Sequence, residues 1–340
     1  MNTRSLLANA GSGAVGIITV ILLIFAALLP AIILCTYVYK KDRVEKEPLG
    51  LLIKLLLCGA IIGVVGAIII EVAFQNIILE PMFAGYAIGT SPDGQLVFSD
   101  SVRHVRDFIE YFFGVGLVEE GIKLAVLIML TRKNKEFNSL FDGIIYSIFV
   151  SLGFAGLENV FYVLDNGFGN AIMRGILSVP GHMFFAVIMG YYYSLWHITD
   201  KATQMEKMYK GAGLIHSEAP EFNGRKYAVL ALVVPTIVHG AYDFGLSFGT
   251  LFSFVLVIAL VIYMYVYCFG RIKKMSASDA PSEGYAYAMV IKKYPTLSDL
   301  ISARNAELEA QKAEAQAQSD PMIETEAESH SNEVQTVSDN

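Results

Sequence analysis

The chain has 340 residues, 54% of them hydrophobic, and a formal net charge of −7. Its mean hydropathy of +0.51 lies well above that of soluble domains, which excludes a water-soluble globular fold for most of its length. No basic patch with interleaved aromatics, no G-x-x-x-x-G-K-S/T and no dinucleotide fingerprint occurs, so neither nucleic acid nor nucleotide is an expected partner.

Seven apolar stretches reach the roughly 20 residues that cross a bilayer. They lie near 13–38, 51–75, 107–131, 139–163, 172–197, 227–247 and 250–270. The expected fold is therefore all-α, a polytopic membrane bundle of about seven transmembrane helices. Only Arg4 precedes the first stretch, and the run from Val15 to Tyr39 is too long for a signal-peptide core, so it reads as an anchor. Lys54 and Glu71 fall near the two ends of the second, within reach of the interface. Residues 76–106, with Pro81, Gly85, Gly89, Pro92 and Gly94, read as a loop. Asp107 and Glu110 open the third stretch, and Gly153 and Gly156 in the fourth suit close helix contact.

Residues 1–271 form the expected membrane domain and 272–340 a cytoplasmic acidic tail. Ser298–Gln318 has helix-forming composition, and from Ser319 on the tail is acidic, poor in aromatics and expected to be disordered. Cys35, Cys58 and Cys268 lie in apolar segments without metal-type spacing and read as small hydrophobes.

Lys and Arg set the orientation. Lys40, Lys41, Arg43 and Lys46 follow the first stretch, Arg132, Lys133 and Lys135 the third, and Lys201, Lys207, Lys210, Arg225 and Lys226 the fifth; Arg271, Lys273 and Lys274 follow the seventh. The opposite loops hold only Arg103, Arg106 and Arg174. The positive-inside rule puts the N-terminus outside and the C-terminus in the cytoplasm.

Against this background, ionisable residues inside the apolar stretches stand out: Glu119, Glu120, Lys123, Glu158, His182, His239 and Asp243. Each charge at mid-membrane costs roughly 2.5–3.5 kcal/mol on insertion scales, so such groups persist where they pair around a polar cavity. On a helix Glu119 and Lys123 are i,i+4 and Glu120 and Lys123 i,i+3, so the lysine can neutralise one carboxylate and leave the other to act as an acid or base. Glu158 has no basic partner in its own stretch. His239 and Asp243 share one helix face, a spacing that lets Asp243 ligate a metal beside His239 or lets both support ligands from elsewhere. With the N-terminus outside, Glu158, His239 and Asp243 fall in the outer half, His182 about ten residues in, and Glu119 and Glu120 near the middle; at about 1.5 Å per residue all lie within a band of about 15 Å. These residues alone are compatible with an enzyme, with a proton- or ion-coupled transporter, and with a non-catalytic scaffold that keeps them for packing.

Glu-Glu-x-x-Lys at 119–123, Phe-x-x-x-Glu at 154–158, the isolated His182 and His-x-x-x-Asp at 239–243 together resemble the PrsW family of intramembrane proteases, related to the CAAX prenyl endopeptidases. The resemblance covers roughly residues 30–270, and Arg43–Pro48 is similar to the acidic, proline-containing segment after the family's first helix. It implies an intramembrane endopeptidase in a bacterial plasma membrane that cuts single-span membrane proteins or peptides, such as an anti-sigma factor, near the extracytoplasmic side. Glu119 or Glu120 would activate water, with Lys123 orienting the pair. Glu158, His182, His239 and Asp243 would bind a metal such as zinc or stabilise the oxyanion. Of the two forms of this chemistry, the metal-free glutamate base is favoured at this point over the zinc site.

Overall fold

In a computed structural model, residues 14–42, 45–92, 94–277 and 279–335 are described; Arg4, Arg43 and residues 336–340 lie outside them. Helix α1 (Ala14–Lys41) is followed by α2 (Leu49–Tyr86), a run containing two π-helical turns at Gly59–Gly63 and Gln75–Leu79. A two-residue hairpin, β1 (Gly89–Thr90) and β2 (Leu96–Val97), pairs antiparallel. Helix α3 (100–131) carries a π-helical segment over Glu110–Gly116. Then come α4 (Asp142–Asn166), the short α5 (Phe168–Ile176), α6 (Ser178–Gly211), α7 (Arg225–Ser247), α8 (Leu251–Ala277), α9 (Ser282–Lys293) and α10 (Leu297–Gln335).

Six helical runs among the described residues are long and apolar enough to span a membrane: Gly16–Lys41, Leu49–Tyr86, Asp142–Asn166, Phe168–Gly211, Arg225–Ser247 and Leu251–Ala277. The hydropathy pattern predicts seven. The difference is α3, which is as long as the others but carries Glu119, Glu120 and Lys123 within one turn. The expected loop over 76–106 is also shorter, because α2 continues to Tyr86 and α3 begins at Asp100. Helix α10 extends past Ser319, where composition predicts disorder, to Gln335. Its run of Ala, Glu and Gln favours helix even without a packing partner.

Large apolar side chains cover the outside. Ile17, Leu22 and Phe25 on α1, Ile61 and Ile69 on α2, and Leu251, Phe252 and Val266 on α8 are all exposed, Leu251 to 80%. Soluble proteins rarely show contiguous apolar surface on this scale, whereas lipid accepts it. The interior is built on α4, whose residues from Asp142 to Gly156 are all buried. Helix α4 touches α2 backbone to backbone: a methyl on Gly153 would collide with the Leu56 carbonyl, and one on Gly59 with the Val150 carbonyl. Two glycines thus set the crossing, as small residues do in membranes. By contrast Gly156 has only ordinary contacts, with Leu28 and Ala31 of α1.

Two compact units divide the chain. The larger runs up to Lys201 and resumes over Phe222–Tyr285; it holds every element above except the C-terminal end of α6, most of α9 and the whole of α10. The smaller comprises Ala202–Glu221 and the chain from Ala286 on. There the buried Glu206 accepts hydrogen bonds from Lys293 Nζ at 3.0 Å and Tyr294 Oη at 2.7 Å.

The link between α1 and α2 is also tied into the larger unit. Glu47 is buried there, its backbone N–H donates to Asp42 at 2.8 Å, and the Tyr146 hydroxyl of α4 donates to its carboxylate. Burial pushes the Glu47 carboxyl up to about 9; the Tyr146 hydrogen bond opposes this and the nearby Asp142 charge adds to it.

Two outcomes are expected. Gly153→Ala should lower the stability of detergent-solubilised protein by about 1–3 kcal/mol, because the helices must separate to admit the methyl; an unchanged melting temperature would contradict backbone contact. Glu47 acts through pH. Its folded pKa is raised, so the native state holds a proton that the unfolded chain releases, and stability falls as pH rises from about 5 to 9. Glu47→Gln should flatten that fall, measured as melting temperature against pH.

Candidate active site

Of the four helices that carry site residues, α3 and α7 are brought together by glycine. Gly116, at the end of the π-helical segment of α3, lies so close to α7 that an added methyl would sit 3.2 Å from the Thr236 carbonyl and 3.3 Å from the Gly240 nitrogen. Gly240 meets Phe112 in the same way, with an added methyl 3.0 Å from its Cα. Glu120 and His239, the neighbours of these contacts, therefore face each other at hydrogen-bond distance. Pro235 lies one turn before His239 and removes one backbone donor from α7.

Lys123 is the hub. Its ammonium, 1% exposed, donates to Glu119 Oε2 at 2.9 Å, to Glu120 Oε1 at 2.9 Å and to His182 Nδ1 at 3.0 Å, and it sits over the Phe154 ring at 4.2 Å. Lysine only donates, so His182 Nδ1 is the acceptor and its proton is on Nε2, which donates to Glu158 Oε2 at 3.1 Å. His239 lies between two carboxylates, with Nδ1 3.0 Å from Glu120 Oε1 and Nε2 3.2 Å from Asp243 Oδ2. Donation to both oxygens makes this ring an imidazolium. The two imidazoles stand 5.3 Å apart edge to face, and His239 stacks on Phe185.

All seven residues singled out from sequence thus meet in one network. They border a cavity of about 430 Å³ whose wall includes Glu119, Glu158, His182, His239 and Asp243. Glu120, 0% exposed, lies behind this wall. Two further charged residues line it that the sequence pattern does not single out, Glu71 and Arg174. Arg174 pairs with Glu158 at 2.8 Å and donates to Asn159 Oδ1 at 3.1 Å, while Asn159 donates to the Ala27 carbonyl of α1 at 2.8 Å. It reads as a loop cation because it stands at the edge of the fifth apolar stretch, which hydropathy starts near 172, whereas the helical run begins at Phe168. Glu71 reads as interfacial because the apolar stretch ends at 75 on hydropathy; with α2 continuing to Tyr86 it is well inside the helix.

Glu119, Glu120, His182 and His239, all buried, each offer a donor atom, and these atoms lie within 4.8 Å of one another. Zinc takes such nitrogen and carboxylate donors. The Nε2 atoms of both histidines are held by carboxylates, Glu158 and Asp243, which is how metal-binding imidazoles are oriented. Glu120 Oε2 is buried without a hydrogen-bond partner. The residues therefore fit a divalent metal. The candidate metal residues expected from sequence are Glu158, His182, His239 and Asp243; this compact group shares the two histidines with that set and adds Glu119 and Glu120, while Glu158 and Asp243 bond the far ring nitrogens.

A family model described as PrsW family intramembrane metalloprotease matches residues 47–269. The chain belongs to the PrsW family. It is an integral membrane protein and an intramembrane protease. It is similar to Protease PrsW of Clostridioides difficile (strain 630), with 31% identity over 241 residues, 69% of this chain and 84% of the relative. Protease PrsW of Oceanobacillus iheyensis is 30% identical over 231 residues, 68% of this chain and 86% of the relative. Protease PrsW of Shouchella clausii is 27% identical over 256 residues, covering 75% and 97%. No solved structure matches the chain.

The hub predicts its own energetics. Lys123→Met leaves two buried carboxylates without their shared cation, and losing one partner of a buried ion pair typically costs about 3–5 kcal/mol. Thermal unfolding in detergent should show that loss. Adding Glu119→Gln and Glu120→Gln to Lys123→Met should recover much of it; no recovery would mean that Lys123 stabilises by packing rather than by charge.

Proposed function

We propose that this protease cuts single-span membrane proteins or peptides, an anti-sigma factor among them, near the extracytoplasmic face of a bacterial plasma membrane, with water activated by Glu119. The observation that carries the reading is the division of labour in the carboxylate pair. Glu119 lines the cavity, where water and a peptide bond can meet it, whereas Glu120 is fully buried and bonded to Lys123 and His239. A carboxylate that faces room for water is what general-base hydrolysis requires. Lys123 holds Glu119 in place through their ion pair, and Glu120 fixes both Lys123 and His239. The His239 imidazolium and the Arg174 guanidinium supply positive charge along the wall where an oxyanion forms. The Glu119 carboxyl then returns its proton to the leaving amine.

When bound, a divalent ion such as zinc would be held by Glu120, His182 and His239, the last only after giving up a ring proton, and would polarise the scissile carbonyl or acidify water while Glu119 stays free as the base. The compact donor set and the metalloprotease description of the family favour this form over the metal-free one.

The distribution of basic residues supports an outside N-terminus. Lys40, Lys41, Arg132, Lys133, Arg271, Lys273 and Lys274 lie in or just beyond the last turns of α1, α3 and α8, at one side. At the other, Arg103, Arg106 and Arg174 are each paired with a carboxylate, Asp100, Glu110 and Glu158. With α3 as the seventh span, His182 and Asp243 lie near the outer ends of α6 and α7, which supports cleavage on the outer side. The bacterial origin of the similar proteases supports the plasma membrane.

Glu119→Gln should lower turnover of a reconstituted single-span substrate roughly 10²–10⁴-fold, and His239→Ala roughly 10²–10³-fold, with membrane expression kept. Glu120→Gln should also abolish turnover, by releasing Lys123 and His239. Stripping metal with a chelator should have the same effect, reversed by zinc. Turnover retained per folded molecule in Glu119→Gln would sink the assignment of the base. Full activity in chelated, metal-free protein would sink the metal.

A further inference from the structure

Four carboxylates line the cavity, and three of them hold a basic group: Glu119 holds Lys123 at 2.9 Å, Glu158 holds Arg174 at 2.8 Å, and Asp243 holds His239 at 3.2 Å. The fourth is Glu71. Its Oε1 is buried and makes no hydrogen bond, and no ion pair reaches its carboxylate among the described residues. No cation in the wall is left for it, since Lys123, Arg174 and His239 are already engaged.

A half-buried carboxylate whose buried oxygen lacks a partner is retained at a functional cavity where a partner arrives with the ligand. We propose that Glu71 is a specificity-determining residue that receives a lysine or arginine side chain of the substrate close to the scissile bond. This rests on the protease reading above and names what that cavity selects. The chemistry favours a cation over a neutral donor. A substrate entering from lipid brings a basic side chain at a high desolvation penalty, which only a desolvated carboxylate relieves. A neutral or acidic side chain in the same place would leave Glu71 unpaired or face its like charge. The cavity, at about 430 Å³, has room for a peptide segment with such a side chain.

The test uses full-length protein in proteoliposomes and a set of single-span substrates. Each residue flanking the scissile bond is varied in turn to Lys, Gln or Glu. Wild type should prefer one Lys position over Gln by about tenfold or more in kcat/KM, carried by KM, as one desolvated charge pair provides. Glu71→Gln, which keeps the shape, should reduce that preference to about twofold. Glu71→Lys should reverse it, so that the substrate with Glu at that position becomes the preferred one; this rescue cannot come from a misfolded variant. A Lys preference that survives Glu71→Gln would overturn the proposal. So would a loss confined to kcat on every substrate, or a metal content that falls in Glu71→Gln, since these put Glu71 in the chemistry or among the ligands. The same substrates are also measured for binding to the Glu120→Gln protein, with and without Glu71→Gln. A Lys preference in binding that depends on Glu71, without cleavage by wild type, would uphold the selectivity and refute the protease reading. Cleavage without that preference would do the reverse.

Discussion

The structure depends on one ammonium group. Lys123 Nζ satisfies two carboxylates on its own helix and an imidazole from α6, all within 3.0 Å and almost wholly out of solvent. Without it, Glu119 and Glu120 would be adjacent anions in an apolar interior, each driving the other to take up a proton. With it, both carboxylates share a cation, and Glu119 still faces the cavity. The two histidines then extend the network outward to Glu158 and Asp243, with charge alternating along Lys123, Glu120, His239 and Asp243 and a neutral His182 linking Lys123 to Glu158. Packing and chemistry share these contacts: the pairs that hold α3, α4, α6 and α7 together also fix each functional group.

Much of this is legible in the sequence, for a physical reason. In a membrane segment an ionisable residue is conspicuous, because insertion penalises it unless it is used. Glu119, Glu120, Lys123, Glu158, His182, His239 and Asp243 stand out on that ground, and helical spacing pairs Glu119 with Lys123 and His239 with Asp243. What spacing cannot give is contact between helices. That His182 accepts from Lys123, and that His239 reaches Glu120 rather than Glu119, depends on the rotation of α6 and α7 against α3. For α7 the close approach to α3 is set by Gly116 and Gly240, two glycines among 29. For the same reason spacing alone cannot bring Glu119 and Glu120 beside the two histidines, or place Glu158 and Asp243 on their far ring nitrogens.

Arg174 shows a second limit. As a basic residue between two apolar stretches it counts toward topology, and its count is small enough to agree with the positive-inside rule. Its position in the cavity wall depends on α5, nine residues long, which turns at Gly167 with φ +82 and is tied through Asn159 to α1. Nothing in the hydropathy of 168–176 separates such a helix from a loop. A residue can therefore serve the charge balance of a topology and the charge balance of a site at once, and only the fold distinguishes the two.

Glu71 fails to stand out for a different reason, and the cause is in the backbone. Two π-helical turns, Gly59–Gly63 and Gln75–Leu79, bracket the segment Val64–Phe74 that carries it, and a third, Glu110–Gly116, precedes Glu119. Each such turn takes in an extra residue and rotates the downstream side chains against the regular 3.6-residue pattern. A periodicity argument that starts at Leu49 therefore loses register before it reaches Glu71. The same irregularity that hides the residue also has a use. Between two π turns, a segment of eleven residues can present one polar side chain to the cavity while Ile68, Ile69 and Ile70 stay exposed to lipid. A regular helix would carry the register set by its packing against α4, through Gly59 and Val150, unchanged to Glu71. The π turns uncouple the two, so that α2 can hold its crossing with α4 at one end and offer a carboxylate to the cavity at the other.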